Sequence, residues 1–565
     1  MMARYFITVV LFRAILFDDV LGTIQNGLYN VDIGVEVNTF YETTRMPSVI
    51  RCAMRCNTSI SCQTATFDVG TEECLLSVDT RMYAIDTGNP NRKTISLVQD
   101  NPICVVPPLI ANGLLVITST TPPDATASLQ CNPGYVIAPT SPLTVNCIEG
   151  TGWGDISGML CQTLPVDPRG YHGTSFILGF MQNGESNSGT PNLLFACKAT
   201  ANVRVEIPFL LIDEIHVVST SLSVSYANSV TSATSGIIEQ KVIYITSDVP
   251  IIVYSYNFDS GSSDGTLILP TTKLSTEYFI AGHPSTLAGT DEVLLIGHYD
   301  ATSVTIEYSS NIQETITLNQ NQTFLKQSVD MSGTRITSTQ PLFVMSGHSC
   351  ANIPDNSVIY CDYIDEVTPP LTSLGTTHIV SYMTPRPDFT INIVILVDMT
   401  TVRFYLGSGT IWETLTSLPA KTSIFRTYTV SKTIVIISDQ NIMVHQFGHG
   451  SQSTSGDPSM MFIPDIGHYG DLYEFTVPTT STLPTLTIVI DNIYPASDLK
   501  LNGQNFNPVS VIPVTVEGIA FTVLYVEIPT GFNTLTHGSG TARFGAWLYG
   551  RTSIIEYAWT LGYAV

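Results

Sequence analysis

The chain has 565 residues, 44% of them hydrophobic and only 12% charged, so it is a folded protein too long for one core, and three or more domains are expected. Its 47 Asp and Glu against 23 Lys and Arg give a formal charge of −24, which argues against nucleic acid or an anionic lipid surface as partner. With so few charges the surface must be built from Ser, Thr, Asn and Gln, a composition that suits extracellular β-domains better than helical cytosolic enzymes.

Residues 1–22 read as a signal peptide: Arg4, then the apolar runs 5–12 and 14–17 interrupted by Arg13, then small or apolar Val20 and Gly22 before the cut. The expected protein is therefore secreted. No later stretch offers ~18 uninterrupted apolar residues, so no membrane insertion is predicted.

Eight of the eleven cysteines lie in the first 161 residues: Cys52, Cys56, Cys62, Cys74, Cys104, Cys131, Cys147 and Cys161. Small domains with thin cores need such staples. Zinc is the competing reading of clustered cysteines. Apart from Cys52 and Cys56, however, no paired knuckle occurs, and no His follows at finger spacing.

The first cluster, residues 51–77, reads RCAMRCNTSISCQTATFDVGTEECLLS and resembles a PAN/apple module covering roughly 28–100. That resemblance implies the pairs Cys52–Cys74 and Cys56–Cys62. The second cluster runs Cys104, Asn112-Gly113, Cys131-Asn132-Pro133-Gly134-Tyr135, Cys147, Gly152-Trp153 and Cys161. It resembles a sushi (complement control) module over 103–162, which implies Cys104–Cys147 and Cys131–Cys161, with Trp153 filling a thin core.

From about Gly170 the chain becomes a series of short apolar runs separated by Ser, Thr, Asn, Gly and Pro clusters, the pattern of strands, with no helical stretch of useful length. Three segments repeat: IYITSDVPIIVYSYN from Ile243, RITSTQPLFVMSGHS from Arg335 and VIISDQNIMVHQFG from Val435. Each reads as strand, turn at Ser247, Ser338 or Ser438, and a second strand. A second pattern keeps the same phase, and a degenerate last copy ends near 544–549, so 171–565 reads as four quasi-repeats of about 100 residues. The predicted fold class is mainly β and multidomain, with stapled modules followed by β-sandwich-like repeats; a β-propeller is the alternative.

This region resembles the N-terminal domain of the IgGFc-binding protein family. The resemblance is carried by residues 346–370, SGHSCANIPDNSVIYCDYIDEVTPP, and by the closing run FGAWLYG at 544–550.

Cys350 and Cys361 close a short loop and are expected to be bonded. Cys197, in the apolar run Leu193-Leu194-Phe195-Ala196, has two readings: a buried free thiol, or a bridge to a disulfide-linked oligomer. Asp355, Asp362, Asp365 and Glu366 cluster around the stapled loop and read as a solvated acidic loop, with Ca²⁺ binding as the sharper alternative. His348 and His449 each follow a glycine at equivalent places. They read as loop histidines that satisfy backbone groups, with a paired metal site as the alternative. Asn57 and Asn321 head glycosylation triplets.

No nucleophile elbow, metalloprotease His pair, phosphate loop, dinucleotide Gly-loop or EF-hand loop occurs, so neither an enzyme nor a cofactor is expected. The expected function is extracellular recognition or adhesion, binding glycoproteins, glycans or microbial and mucosal surfaces. The alternative is a structural component of a matrix, mucus or adhesive secretion.

Overall fold

The computed structural model describes residues 170–565 apart from 185–186, 188, 285–286, 359, 430, 451–455 and 553–554, and ahead of them a series of strands and short segments between Phe6 and Thr163. All regular structure among the described residues is β, with only short 3-10 turns added. The chain divides into two compact units, Met1–Leu164 and Pro165–Val565.

In the first unit the strands Tyr29–Ile33, Arg92–Leu97, Thr64–Asp68, Glu73–Ser77 and Glu42–Arg45 lie side by side in that order. Further on, Gly152–Trp153, Thr144–Ile148, Thr126–Cys131 and Gly113–Ser119 form a four-stranded sheet. Its core is Ile110, Leu115, Ala127, Leu129, Val145 and Met159, with Trp153 packed against it. Cys147 is disulfide-bonded. The expected signal peptide falls on residues outside the description except for Phe6–Ile7, and the side chains of Cys52, Cys56, Cys62, Cys74, Cys104, Cys131 and Cys161 also lie outside it.

The second unit contains four copies of one strand pattern. In the first, seven strands follow in order: Gly173–Leu178, Thr190–Ala196, Ala201–Ile207, Ile212–Val218, Ser221–Ser225, the long Ile243–Asp259 and Ser262–Ile268. The long strand is the spine. Its first half pairs with the first and third strands, and its second half pairs with the second strand and with the last. Two curled sheets thus share one strand and enclose a sandwich-like core. Spines Arg335–Ala351 and Thr433–Gly448 build the second and third repeats in the same way.

Ser247, Ser338 and Ser438 are not turns between two strands, as their sequence pattern suggests: each expected pair is one continuous strand. The polar segment is a corner where the spine passes from one sheet to the other. All three corners carry the same irregularity, because three residues of the first strand span six of the spine: Gly173 to Ser175 against Thr246 to Ile251, Ser275 to Glu277 against Thr337 to Leu342, and Gly375 to Thr377 against Ile437 to Ile442. In the fourth repeat the spine is broken into Gly531–His537 and Phe544–Thr552, which is why its sequence copy looks degenerate.

Beyond the corner both faces of the spine are covered. Residues 251–257 are all buried, and they read as the continuous run IIVYSYN rather than an alternating one. One face fills the repeat's own core, such as Tyr278, Val293, Leu295, Val304, Ile336 and Val344 in the second repeat. The other face looks inward, where the last strand of each repeat lies. These inner strands are Ser262–Ile268, Asp362–Val367, Ser459–Phe462 and Ile555–Thr560. The first and third each pack against the second and fourth, so the four repeats close a ring. Closure joins the first repeat to the fourth: the Tyr171 hydroxyl donates to the Leu472 carbonyl at 2.8 Å, and the Tyr254 hydroxyl to that of Leu561 at 2.9 Å.

Candidate binding face and the axial carboxylates

In every repeat the second strand starts beside the far end of the spine: Thr190 faces Phe258, Asp291 faces His348, Phe389 faces Gly448 and Thr482 faces Arg551. The loop entering the second strand and the loop leaving the spine therefore share one end of each repeat. Loops of neighbouring repeats also touch. The Gly184 N–H donates to Ser349 O at 2.8 Å and the Gly450 N–H to Ile353 O at 2.9 Å, and within the third repeat Arg386 donates to the His449 carbonyl. Together they form a loop face at one end of the ring.

The most built-up part of this face is the loop closed by the Cys350–Cys361 disulfide. Ala351, Asn352, Ile353 and Val358 are buried and form its root, with Asn352 Nδ2 donating to Val358 O at 2.7 Å. Asp355, Asn356, Ser357 and Tyr360 are exposed at its tip. The N–H of Ser357 donates to Asp355 at 2.8 Å, and the Ser357 hydroxyl and this N–H hold the Asp355 carboxyl below its usual range. Below the tip lie His283 and His449. Burial pushes both down to about 4, helped at His449 by the Arg386 charge, so both are neutral at ordinary pH.

His348 and His449 each engage one ring nitrogen in a local hydrogen bond. His348 Nδ1 accepts from the Cys350 N–H at 3.0 Å, and His449 Nε2 meets the Thr390 hydroxyl at 2.9 Å. No group of three His, Cys, Asp or Glu among the described residues is placed to hold a metal ion.

Replacing both Cys350 and Cys361 with serine is expected to cost no more than about 3 kcal/mol, because the closed loop is short. Hydrogen exchange should speed up across residues 350–361 while the ring stays protected. Loss of protection throughout the ring would show that the loop holds the fold rather than decorates it.

The acidic group splits in two. Asp355 alone is solvated, whereas Asp362, Asp365 and Glu366 are buried on an inner strand, so neither one solvated loop nor one calcium loop describes them. They belong to a larger set at the axis, with Asp264, Asp457 and Glu556, that sequence reasoning did not single out. An inner strand has one edge in its own sheet and one facing its neighbours, whose N–H groups need acceptors. The carboxylates supply them across the repeats. Asp264 accepts from Met460 N at 2.8 Å and Ala558 N at 3.2 Å, in the third and fourth repeats. Asp362 accepts from Ser263 N at 2.7 Å, and Glu366 from Phe462 N at 2.8 Å and from the Thr266 hydroxyl.

Burial raises these acids. Asp365 is pushed up to about 7 and Glu366 to about 8, while Asp457 and Glu556 reach about 7 even though Arg386 pulls both down. A raised acid adds stability that is complete below its unfolded value near 4 and is lost as pH rises through its folded value. The buried histidines act oppositely, and their contribution is lost as pH falls from 6.5 toward 4. Between pH 6.5 and about 8 the carboxylates dominate, so the thermal midpoint should fall across that window. A midpoint that is flat or rises from pH 6.5 to 8.5 in calorimetry would refute this.

Cys197 is buried, with its Sγ 3.4 Å from Val218 O, and burial raises its pKa. An intermolecular bridge would require it to leave the core. Asn321, with φ +68°, sits half-buried at the tip of the hairpin between Gln313–Leu318 and Thr323–Ser328. Asn57 lies outside the described residues.

Comparison with known families bears on the ring directly. The profile described as IgGFc binding protein matches residues 264–550, just over half of the chain. The chain belongs to the IgGFc binding protein family. The match begins at Asp264 and so takes in the inner strands and the loop face of the second and third repeats. A PAN domain profile matches residues 35–101. The human protein named IgGFc-binding protein is 24% identical over 431 residues, covering 72% of this chain; the chain spans only 8% of that protein's length.

Proposed function

We propose that the chain is a secreted extracellular recognition protein that engages protein or glycan ligands of mucosal or microbial surfaces through the loop face of its ring. The observation that carries this reading is the gathering of loops from neighbouring repeats at one end of a closed β scaffold, with Asp355, Asn356 and Tyr360 displayed on a stapled root. Rigid scaffolds with loops at one end are a common way to build a recognition surface. Membership of the IgGFc binding protein family supports a binding role over an enzymatic one.

The modules ahead of the ring add contacts to the same purpose. The PAN match supports a binding module there, in which Cys52–Cys74 and Cys56–Cys62 are the proposed pairs. Around residues 103–162, a bonded Cys147 and a core closed by Trp153 support the sushi reading, with Cys104–Cys147 and Cys131–Cys161 as pairs. Several weak modules on one chain bind through avidity. Asn57 and Asn321 are the proposed glycan acceptors.

The test is binding of the secreted protein to immobilised glycoproteins, a glycan array and whole microbes at micromolar concentration. Binding that falls at least tenfold for Tyr360→Ala with Asp355→Ala supports the loop face. No binding to any of these surfaces, or binding indifferent to both substitutions, overturns it.

A further inference from the structure

Among the described residues of the ring, one sheet edge is both long and apolar. In the first repeat the fourth strand, Ile212–Val218, pairs only with Ala201–Ile207, through seven consecutive residue pairs without a register shift. Its other edge presents backbone donors and acceptors in an extended row. Leu211, Ile215 and Val217 project beside it with 93%, 68% and 67% of their surface exposed. Long, regular, apolar edges are what soluble β-proteins normally avoid.

The equivalent strands of the other repeats show how such an edge is blunted. In the third repeat, Ile411–Leu418 is broken by two register shifts, with Ser417 at φ +55°. In the second, Gln313–Leu318 shows polar side chains at the surface, and its Glu314 is held by Lys326 at 2.8 Å. In the fourth, the strand at that place in the chain, Ser510–Val516, pairs with Ile519–Glu527 instead and is covered by the third repeat, with the Thr515 N–H donating to Gly407 O at 2.9 Å. Among these four strands, Ile212–Val218 alone combines an unbroken register, no covering strand and aliphatic side chains, Ile215 and Val217, exposed along its length.

The strand is also complementary to itself. Read antiparallel about Ile215, the sequence Ile212-Asp213-Glu214-Ile215-His216-Val217-Val218 sets Glu214 opposite His216 twice, Ile215 opposite Ile215 and Ile212 opposite Val218. The remaining acid, Asp213, is already held in its own sheet by Arg204 through two bonds of 2.7 Å. Aliphatic pairs face to face stabilise a cross-strand pair, and a carboxylate set opposite an imidazole avoids the like-charge contact that would break it; the same two side chains already lie 3.3 Å apart along one strand.

We propose that a second copy of this chain adds to the strand Ile212–Val218 by antiparallel pairing centred on Ile215, which joins two rings into one continuous sheet. The contact is non-covalent and independent of Cys197. It places the two loop faces in a bivalent unit.

The test is the mass of the full-length secreted chain by analytical ultracentrifugation at tens of micromolar. A dimer is expected. Ile215→Lys and, separately, Val217→Lys should halve that mass with an unchanged circular dichroism spectrum, since both positions are solvent-facing. Glu214→Lys should weaken the dimer about tenfold, and Glu214→Lys with His216→Glu should restore it, because Lys and Glu then face each other twice across the two strands. A monomeric wild type overturns the proposal. A dimer insensitive to Ile215→Lys also overturns it and points to another occupant of the edge, such as residues 1–164. So does a double swap no tighter than the single one.

Discussion

Gly347→Ala is expected to destabilise the ring by more than about 4 kcal/mol, the range reached when backbone contacts are forced apart. A Cβ at this spine position would lie 1.9 Å from the Ile364 carbonyl oxygen and 2.9 Å from the Asp365 Cα. Both are backbone atoms and cannot swing away, so the spine and inner strand of the second repeat would have to separate. Their separation would loosen Asp362, Asp365 and Glu366 and lift the root of the stapled loop. The control is Gly261→Ala, at a turn where an added Cβ meets nothing within 4 Å. It should stay within about 0.5 kcal/mol of wild type. Chemical denaturation of both variants decides the matter, and a Gly347→Ala protein as stable as the control would show that the two strands are not held this closely.

Asp264→Ala is expected to cost about 3 to 5 kcal/mol, since it strands the buried N–H groups of Met460 and Ala558 at once. Asp264→Asn keeps one acceptor oxygen but turns a donor toward the other N–H, so it should recover part of the loss. The asparagine variant should also show a shallower decline of the thermal midpoint between pH 6.5 and 8.5, with one buried acid fewer. An alanine variant within 1 kcal/mol of wild type would mean that the axial carboxylates are not what joins the repeats.

Much of the architecture was legible because burial leaves a pattern. The β content and the repeat phase near 100 residues follow from buried apolar runs such as Val293–Ile296, which recur at equivalent places along the chain. The spines were misread for a physical reason. Pro250 and Pro341 sit at the corners, in the stretch where neither sheet pairs with the spine, so a residue that usually ends a strand is tolerated inside one.

The axial carboxylates were missed because an acid beside a Cys loop reads as solvated. What makes Asp362 a buried acceptor is the free N–H row of a strand a hundred residues away, which local sequence does not display. One signal was available. Ser262, Asp362 and Asp457 stand at the same spacing ahead of Pro270, Pro370 and Asp465, the residues that begin the 3-10 turn after each inner strand. The open edge at Ile212–Val218 was invisible for a similar reason, since exposure of Ile215 and Val217 depends on what does not pack against them.

The reach of Asp264 also bears on how the protein is made. Its two partners lie 196 and 294 residues further along the chain. A ribosome adds roughly 5–20 residues each second, so the first repeat emerges many seconds before the strand that completes its inner edge. During that interval a finished core carries an unsatisfied strand edge and a buried-to-be carboxylate still in water. Such a nascent intermediate is prone to pair with the wrong neighbour, including the same repeat of another nascent chain. Synthesis of this ring should therefore depend on folding assistance more than its final stability would indicate.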